Sequence, residues 1–276
     1  MLIEDMMIVS LAGALALIGA AETAPAPPVS RWTLRDDPAR CLLERQTVEP
    51  PGTLSIDTTP GSDAYRVAIT GRDIKGATSL APAALTFAPS PKRLDGRASV
   101  AKLPTGMPVI WMQGVAPAFL DELAGAETVT IKTSQGVGGS ISVVGAVEAV
   151  KAFRHCETDQ LIDWGADAAQ FAPGGARPVA LKNRDAWLSN TELMAVAKEL
   201  GQSNIDAAFR VSVSADGVVD GCRAVADAID KGVEAAACAG VLNKPLFVAA
   251  KDPGGGSVRG VATFRVALER RPSRRN

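Results

Sequence analysis

Cys41, Cys156, Cys222 and Cys238 constrain this chain more than any other feature, because none of the four stands in a C-x-x-C arrangement of the kind that suits zinc or a thioredoxin-like redox pair. An even number of isolated cysteines reads instead as disulfides, provided the chain leaves the reducing cytosol. Four cysteines allow three pairings. Sequence proximity favours Cys222 with Cys238, which leaves Cys41 with Cys156 to close most of the N-terminal half. In the loop-entropy account the short bridge stabilises the fold by roughly 3 kcal/mol and the long one by somewhat more.

The N-terminus supplies the route out of the cytosol. Met6 to Ala21 (MMIVSLAGALALIGAA) is apolar apart from Ser10, and Gly19 and Ala21 occupy the small-residue positions of a cleavage site before Glu22. As a helix this stretch reaches about 24 Å at 1.5 Å per residue, short of the roughly 30 Å hydrocarbon core. It therefore reads as a secretory signal peptide over residues 1–21, with a short membrane anchor, and hence membrane association, as the alternative. Glu4 and Asp5 have the wrong sign for a signal peptide's first residues, which points to initiation at Met6 or Met7.

A chain of 276 residues can bury a sizeable core in one or two domains. Aromatic residues make up only 4%, so that core must be built mainly from Ala, Val and Leu. A formal net charge of −1 with no clustered basic surface excludes a nucleic-acid footprint. The one local excess, Arg270, Arg271, Arg274 and Arg275, lies in the C-terminal tail and reads as a solvated terminus.

After the stiff leader Ala24 to Pro28, strand-like runs (TLSID, YRVAITG, PVIWMQG) alternate with Pro and Gly turns. Phe119 to Ala126 reads as a short helix. Thr128 to Lys132 and Ile141 to Val144 read as a hairpin. A longer helix follows, with Ala146, Ala149, Val150, Phe153 and Cys156 on one face. Residues 171–184 (FAPGGARPVALKNR) lack periodicity and read as a linker between a β-rich region, 22–170, and a second domain, 185–270, with 271–276 as a basic tail. In the second region Ser189 and Glu192 form a capping box. Phe209, Val211 and Val213 point inward before an Asp216-Gly217 turn, and Asp230 caps a helix bearing Cys238. A last strand, Val258 to Leu268, follows the KDPGGG loop. The expected fold class is α+β: two domains, a β-rich N-terminal domain with a C-terminal helix and a small α-β-β-α-β domain.

Candidate catalytic groups are sparse. His155 is the single histidine, so any Ser-His-Asp arrangement would have to use it. It faces away from the apolar side of its helix, and no serine stands in a G-x-S-x-G elbow. Gly136 to Gly139 and Gly254 to Gly256 lack the Gly-Lys-Ser/Thr ending of a phosphate loop and read as turns. The neighbours Asp36-Asp37 and Asp121-Glu122 point apart in a strand or helix and suit acid–base work poorly. No catalytic, cofactor-binding or metal-binding set follows, and the chain reads as a non-enzyme.

The last third carries a resemblance. Trp187 and the helix after it, then AAFRVSVSADGVVDGCRAV, a Cys-bearing helix and LNKPLFVAAKDPGGGSVRGVATFRVAL resemble the C-terminal domain of TonB. TonB is the energy transducer of Gram-negative envelopes, and the resemblance is to its cysteine-paired version. The matching parts are the hairpin Val211 to Gly217, Cys222 and Cys238 at the paired-cysteine positions, Phe247 to Ala250 where the family has Phe-x-Pro-Ala, and Gly260 to Leu268 as the closing strand. Residues 32–167 are weakly similar to the invasion-associated locus B family of periplasmic proteins.

The TonB resemblance implies a periplasmic protein-interaction module for transport across the outer membrane. Its partner would be an extended transporter segment, added as a strand at an edge formed by Val261, Thr263, Arg265 and Ala267, with Thr263 and Arg265 outward. The alternative is a stand-alone secreted periplasmic protein that binds cell wall or another envelope protein, its TonB-like part purely structural. The leader Ala24 to Pro28 favours the second reading, since even as polyproline II it reaches only about 16 Å.

Overall fold

The architecture is that of a computed structural model describing residues 30–76, 78–201 and 204–268. The apolar segment Met6 to Ala21, the leader Ala24 to Pro28 and the basic tail lie outside the described residues.

Apolar residues at every second position make strands of most of the first half. The strands are β1 (Arg31–Asp37), β2 (Arg40–Thr47), β3 (Gly52–Thr58), β4 (Tyr65–Gly71), β5 (Thr78–Ala88), β6 (Arg93–Lys102), β7 (Pro108–Val115), β8 (Thr128–Thr133) and β9 (Gly138–Ser142). In β3 and β4 the alternation is plain: Leu54, Ile56, Val67 and Ile69 are buried while their neighbours are not. All nine form one antiparallel sheet in the order β1-β2-β3-β4-β7-β6-β5-β8-β9. The sheet curls until β9 returns against β3 and β4. Gly139 allows this closure, because a Cβ there would lie 3.0 Å from the Ile74 side chain.

Two helices plug the curl. In α1 (Phe119–Ala124), Phe119, Leu120 and Leu123 are buried. In α2 (Ala146–Asp163), Ala146, Val150, Phe153 and Cys156 form the inner face, with Ala149 at its margin. Tyr65 meets Phe119 and Phe153 edge-on, each at 5.8 Å between ring centroids, and burying a ring such as Phe153 stabilises the core by about 1.5–3 kcal/mol. Cys156 bonds to Cys41 on β2, fastening α2 to the sheet.

The chain continues through β10 (Val179–Ala180), α3 (Asn190–Leu200), β11 (Ile205–Val213), β12 (Val219–Ala224), α4 (Lys231–Ala239), β13 (Phe247–Val248), β14 (Ala250–Lys251), β15 (Ser257–Val258) and β16 (Gly260–Leu268). Ser189 and Glu192 make both bonds of the capping box on α3, and Asp230 accepts from Gly232 and Val233 at the start of α4. A three-stranded sheet, β12-β11-β16, lays Phe209, Val211, Val213 and Phe264 against Trp187 and the two helices. Phe209 stacks on Phe264 at 5.3 Å. The second disulfide, Cys222–Cys238, joins β12 to α4.

The expected fold class, α+β with two domains of which the second is a TonB-like α-β-β-α-β unit, is overturned. The described residues are mostly β, with 44% in strands against 22% in helices, and the curled nine-stranded sheet dominates them. Three physical reasons account for the difference. The hairpin β5–β6 belongs to that sheet, but β5 is written largely in Ala, Ser and Thr with Pro82 inside and β6 opens on charged residues around Gly96, so its apolar alternation is faint in the sequence. Residues 171–184 are paired: Val179–Ala180 with Phe247–Val248, and Ala176 with Lys251. Finally, Leu161 and Ala166 pack on Val261, with Trp164 and Phe171 beside them, so a small apolar cluster joins the end of α2 to β16.

Candidate functional site

The proposed partner edge is β16, and its register against β11 decides which groups it can offer. Arg210 lies opposite Thr263, and Phe209 opposite Phe264. Thr263 turns its N–H and C=O away from β11, and by the two-residue period of a strand so do Val261, Arg265 and Ala267. The four nominated residues therefore share the free side of the strand, but they do not share one environment.

Val261 and Thr263 are covered. The Thr263 N–H donates to the Gly61 carbonyl at 3.2 Å, and Arg184 donates through Nη1 to the carbonyls of both Gly61 and Thr263. Thr263, anticipated on an outward face, is 3% exposed, and Val261 lies in the cluster with Leu161 and Ala166. The Arg184 side chain is largely withdrawn from solvent, which pulls its pKa below the ordinary arginine value, partly offset by Asp63. Its Nε sits 3.3 Å from the Asp63 carboxylate but makes no hydrogen bond. Gly61 has a left-handed φ of +80°, and a Cβ there would approach the Ala262 Cα to 3.0 Å. The loop between β3 and β4 thus closes on the strand at the one residue type that fits.

Arg265 and Ala267 are exposed. Among the described residues nothing meets their backbone on the free side. The Arg265 guanidinium makes a two-pronged bond to Asp206 on β11, which holds the Asp206 carboxyl below the usual carboxylate range. The open part of the edge is therefore short, a few residues at the C-terminal end of β16.

The other sequence candidates fall apart as sites. His155 is exposed and lies 3.3 Å from Asp159 one turn along α2. Asp36 accepts from Gln160, whereas Asp37 pairs with Arg40. Asp121 pairs with Arg154 and Glu122 accepts from Ser90. Gly254 to Gly256 turn the short hairpin β14–β15. The four cysteines are all consumed in the two disulfides.

A second place carries chemistry that the sequence reading passed over. A cavity of about 440 Å³ opens between α1, α2 and residues 170–177. Glu157 lies on its wall at 1% exposure; one carboxylate oxygen accepts from the Tyr65 hydroxyl at 2.9 Å, and the other, Oε1, has no hydrogen-bond partner. Burial pushes the Glu157 pKa up, against the opposing pull of Arg177, the Tyr65 bond and Arg154. Burial and the neighbouring Glu157 push the Tyr65 hydroxyl up as well. The signal in the sequence was a carboxylate on the apolar face of α2, seven residues after Val150 and beside Cys156.

The chain matches no protein-family model, and it matches no curated protein and no solved structure.

Proposed function

We propose that this chain is a non-catalytic, stand-alone binding protein of the periplasm, held together by its two disulfides, in which the last strand is chiefly a structural joint. The observation that carries this reading is the occupation of Thr263: its outward N–H and C=O are taken by Gly61 and Arg184. A strand added along the whole edge would have to displace both, together with the cluster at Val261. The disulfides Cys41–Cys156 and Cys222–Cys238 support an oxidising compartment. The partner class on this reading is cell wall or another envelope protein.

A specific observation favours a second reading, in which a partner adds a short strand beside Arg265 to Leu268. Arg265 and Ala267 are exposed, and their backbone is unmet among the described residues on the free side. That mode would connect the protein to outer-membrane transporters.

One titration separates the two. The mature full-length protein is mixed with extended peptides from transporter N-termini while backbone amide signals are followed. The stand-alone reading expects the amides of 265–268 to stay in place and osmotic shock to release the protein from native cells. Saturable shifts confined to 265–268 would overturn it in favour of strand addition. Retention in the inner-membrane fraction would overturn the periplasmic stand-alone assignment.

A further inference from the structure

Strand β1 (Arg31–Asp37) stands at one end of the large sheet and pairs with β2 on one side only. Pro38 and Ala39 turn the first strand into the second, so Asp37 and Arg40 close the hairpin and exchange their backbone bonds. By the two-residue period, Trp32, Leu34 and Asp36 then send their N–H and C=O groups away from β2. Among the described residues nothing meets those groups. Helix α2 does not take the place. It is held beneath both strands, by Cys156 to Cys41 of β2 and by Gln160 to the Asp36 carboxylate of β1.

The side chains mark the same edge as unfinished. Leu34 lies opposite Leu43, which belongs to the core of the curled sheet, so both face inward. Yet Leu34 is 36% exposed where Leu43 is 1% exposed. A further strand laid beside β1 would cover it.

The charges select which strand that is. Charged side chains on an edge usually deter pairing, but the segment RWTLRDD is complementary to an antiparallel copy of itself. With a two-fold axis at Leu34, Arg31 of each copy lies opposite Asp37 of the other, Trp32 opposite Asp36 and Arg35 opposite Thr33. Moving the axis to Thr33 sets Arg31 against Arg35, and moving it to Arg35 sets that arginine against itself, both like-charge pairs that destabilise a ladder. Only the Leu34 axis also gives all three outward residues a backbone partner. Arg31 makes no ion pair with any described residue, and Asp37, although it pairs with Arg40 at 2.9 Å, keeps a half-exposed carboxylate.

We infer that two copies of this chain join through β1, antiparallel about Leu34, so that the two large sheets run on into each other across an isologous interface. Backbone bonds are exchanged at Leu34 with Leu34 and at Trp32 with Asp36. The Arg31–Asp37 pairs close both ends and fix the register. The inference goes beyond the binding role proposed above and is independent of what happens at β16.

The test is sedimentation equilibrium of the intact protein from about 10 µM to 1 mM, the range that a small, reversible interface calls for. A monomer–dimer equilibrium is expected, with the amide signals of Trp32, Leu34 and Asp36 shifting together as the dimer forms. Leu34→Pro removes an N–H that β2 does not use, a position where an edge strand tolerates proline, and should weaken the dimer at least tenfold. Arg31→Glu sets carboxylates against Asp37 and should weaken it at least threefold. Circular dichroism confirms that each variant is folded, and Leu80→Ser, at an exposed leucine of β5, is the control that should leave the dimer intact. A monomer throughout the range would overturn the inference. So would a dimer whose shifts lie away from β1, or one undiminished in folded Arg31→Glu protein.

Discussion

The amide of Thr263 on the last strand donates to the carbonyl of Gly61 at 3.2 Å, tying the edge of the small sheet to a turn of the large one. It turns a free strand edge into an internal joint. Gly61 is the sensitive partner, because its φ of +80° and the 3.0 Å approach to Ala262 leave no room for a side chain. Gly61→Val should cost about 2–4 kcal/mol through strain and overpacking. Urea unfolding would read this as a lower midpoint, and hydrogen exchange should show the Thr263 amide losing protection first. An unchanged midpoint would mean that the joint contributes nothing.

Arg184 makes the same joint from the other side. Arg184→Lys keeps the charge but loses the longer planar fork whose Nη1 serves both carbonyls while its Nε faces Asp63, so it should destabilise by about 1.5–3 kcal/mol, the usual loss for a hydrogen bond to a charged group. Full stability in the lysine variant would show that charge alone suffices.

The disulfides should differ in weight. Cys41–Cys156 closes a separation of 115 residues and Cys222–Cys238 one of 16; loop entropy then assigns the first roughly 5 kcal/mol and the second about 3 kcal/mol. Thermal unfolding of Cys41→Ala/Cys156→Ala and Cys222→Ala/Cys238→Ala proteins should rank them in that order. The reverse ranking would indicate residual structure in the unfolded chain.

Glu157 should make stability fall as pH rises. Its folded pKa is raised by burial, so above the ordinary carboxylate range near 4 the unfolded chain gives up its proton while the folded one keeps it. The folded state is then progressively disfavoured until the folded pKa is reached. Glu157→Gln removes this contribution. As pH rises above the ordinary carboxylate range, its melting temperature should fall less than that of the wild type. Parallel pH profiles would sink the argument.

Glu192 behaves in the opposite sense. The Lys244 ammonium at 2.8 Å and the bonds to Ser189 hold its carboxyl down at about 2, so its contribution is complete above the unfolded value near 4 and is lost as pH falls toward 2. Glu192→Gln should flatten that part of the acid-unfolding curve. Half-exposed groups contribute little, and the expected effect is below about 1 kcal/mol.

What could be read from the residues alone was local. The inner face of α2, the capping box at Ser189, the inward row Phe209, Val211 and Val213 and the Asp230 cap all follow from periodicity and backbone chemistry confined to a few neighbours, and the structure carries each of them. The pairing of Cys222 with Cys238 followed from nearness in the chain. Apart from Cys41–Cys156, the pair left over once Cys222 and Cys238 are joined, contacts between distant segments were not legible. The β5–β6 hairpin is too rich in Ala, Ser and Thr to announce itself. The tie of Gly61 and Arg184 to Thr263, and the meeting of Glu157, Gln170 and Arg177 around one cavity, need the curled sheet, α2 and residues 168–177 to be in place together. Backbone preferences act over one turn or one strand, so the sequence by itself determined the elements and their buried faces. Tertiary packing alone decided which strand edge was used up and which buried carboxylate was left with an oxygen unmet, because those outcomes depend on which groups lose water together.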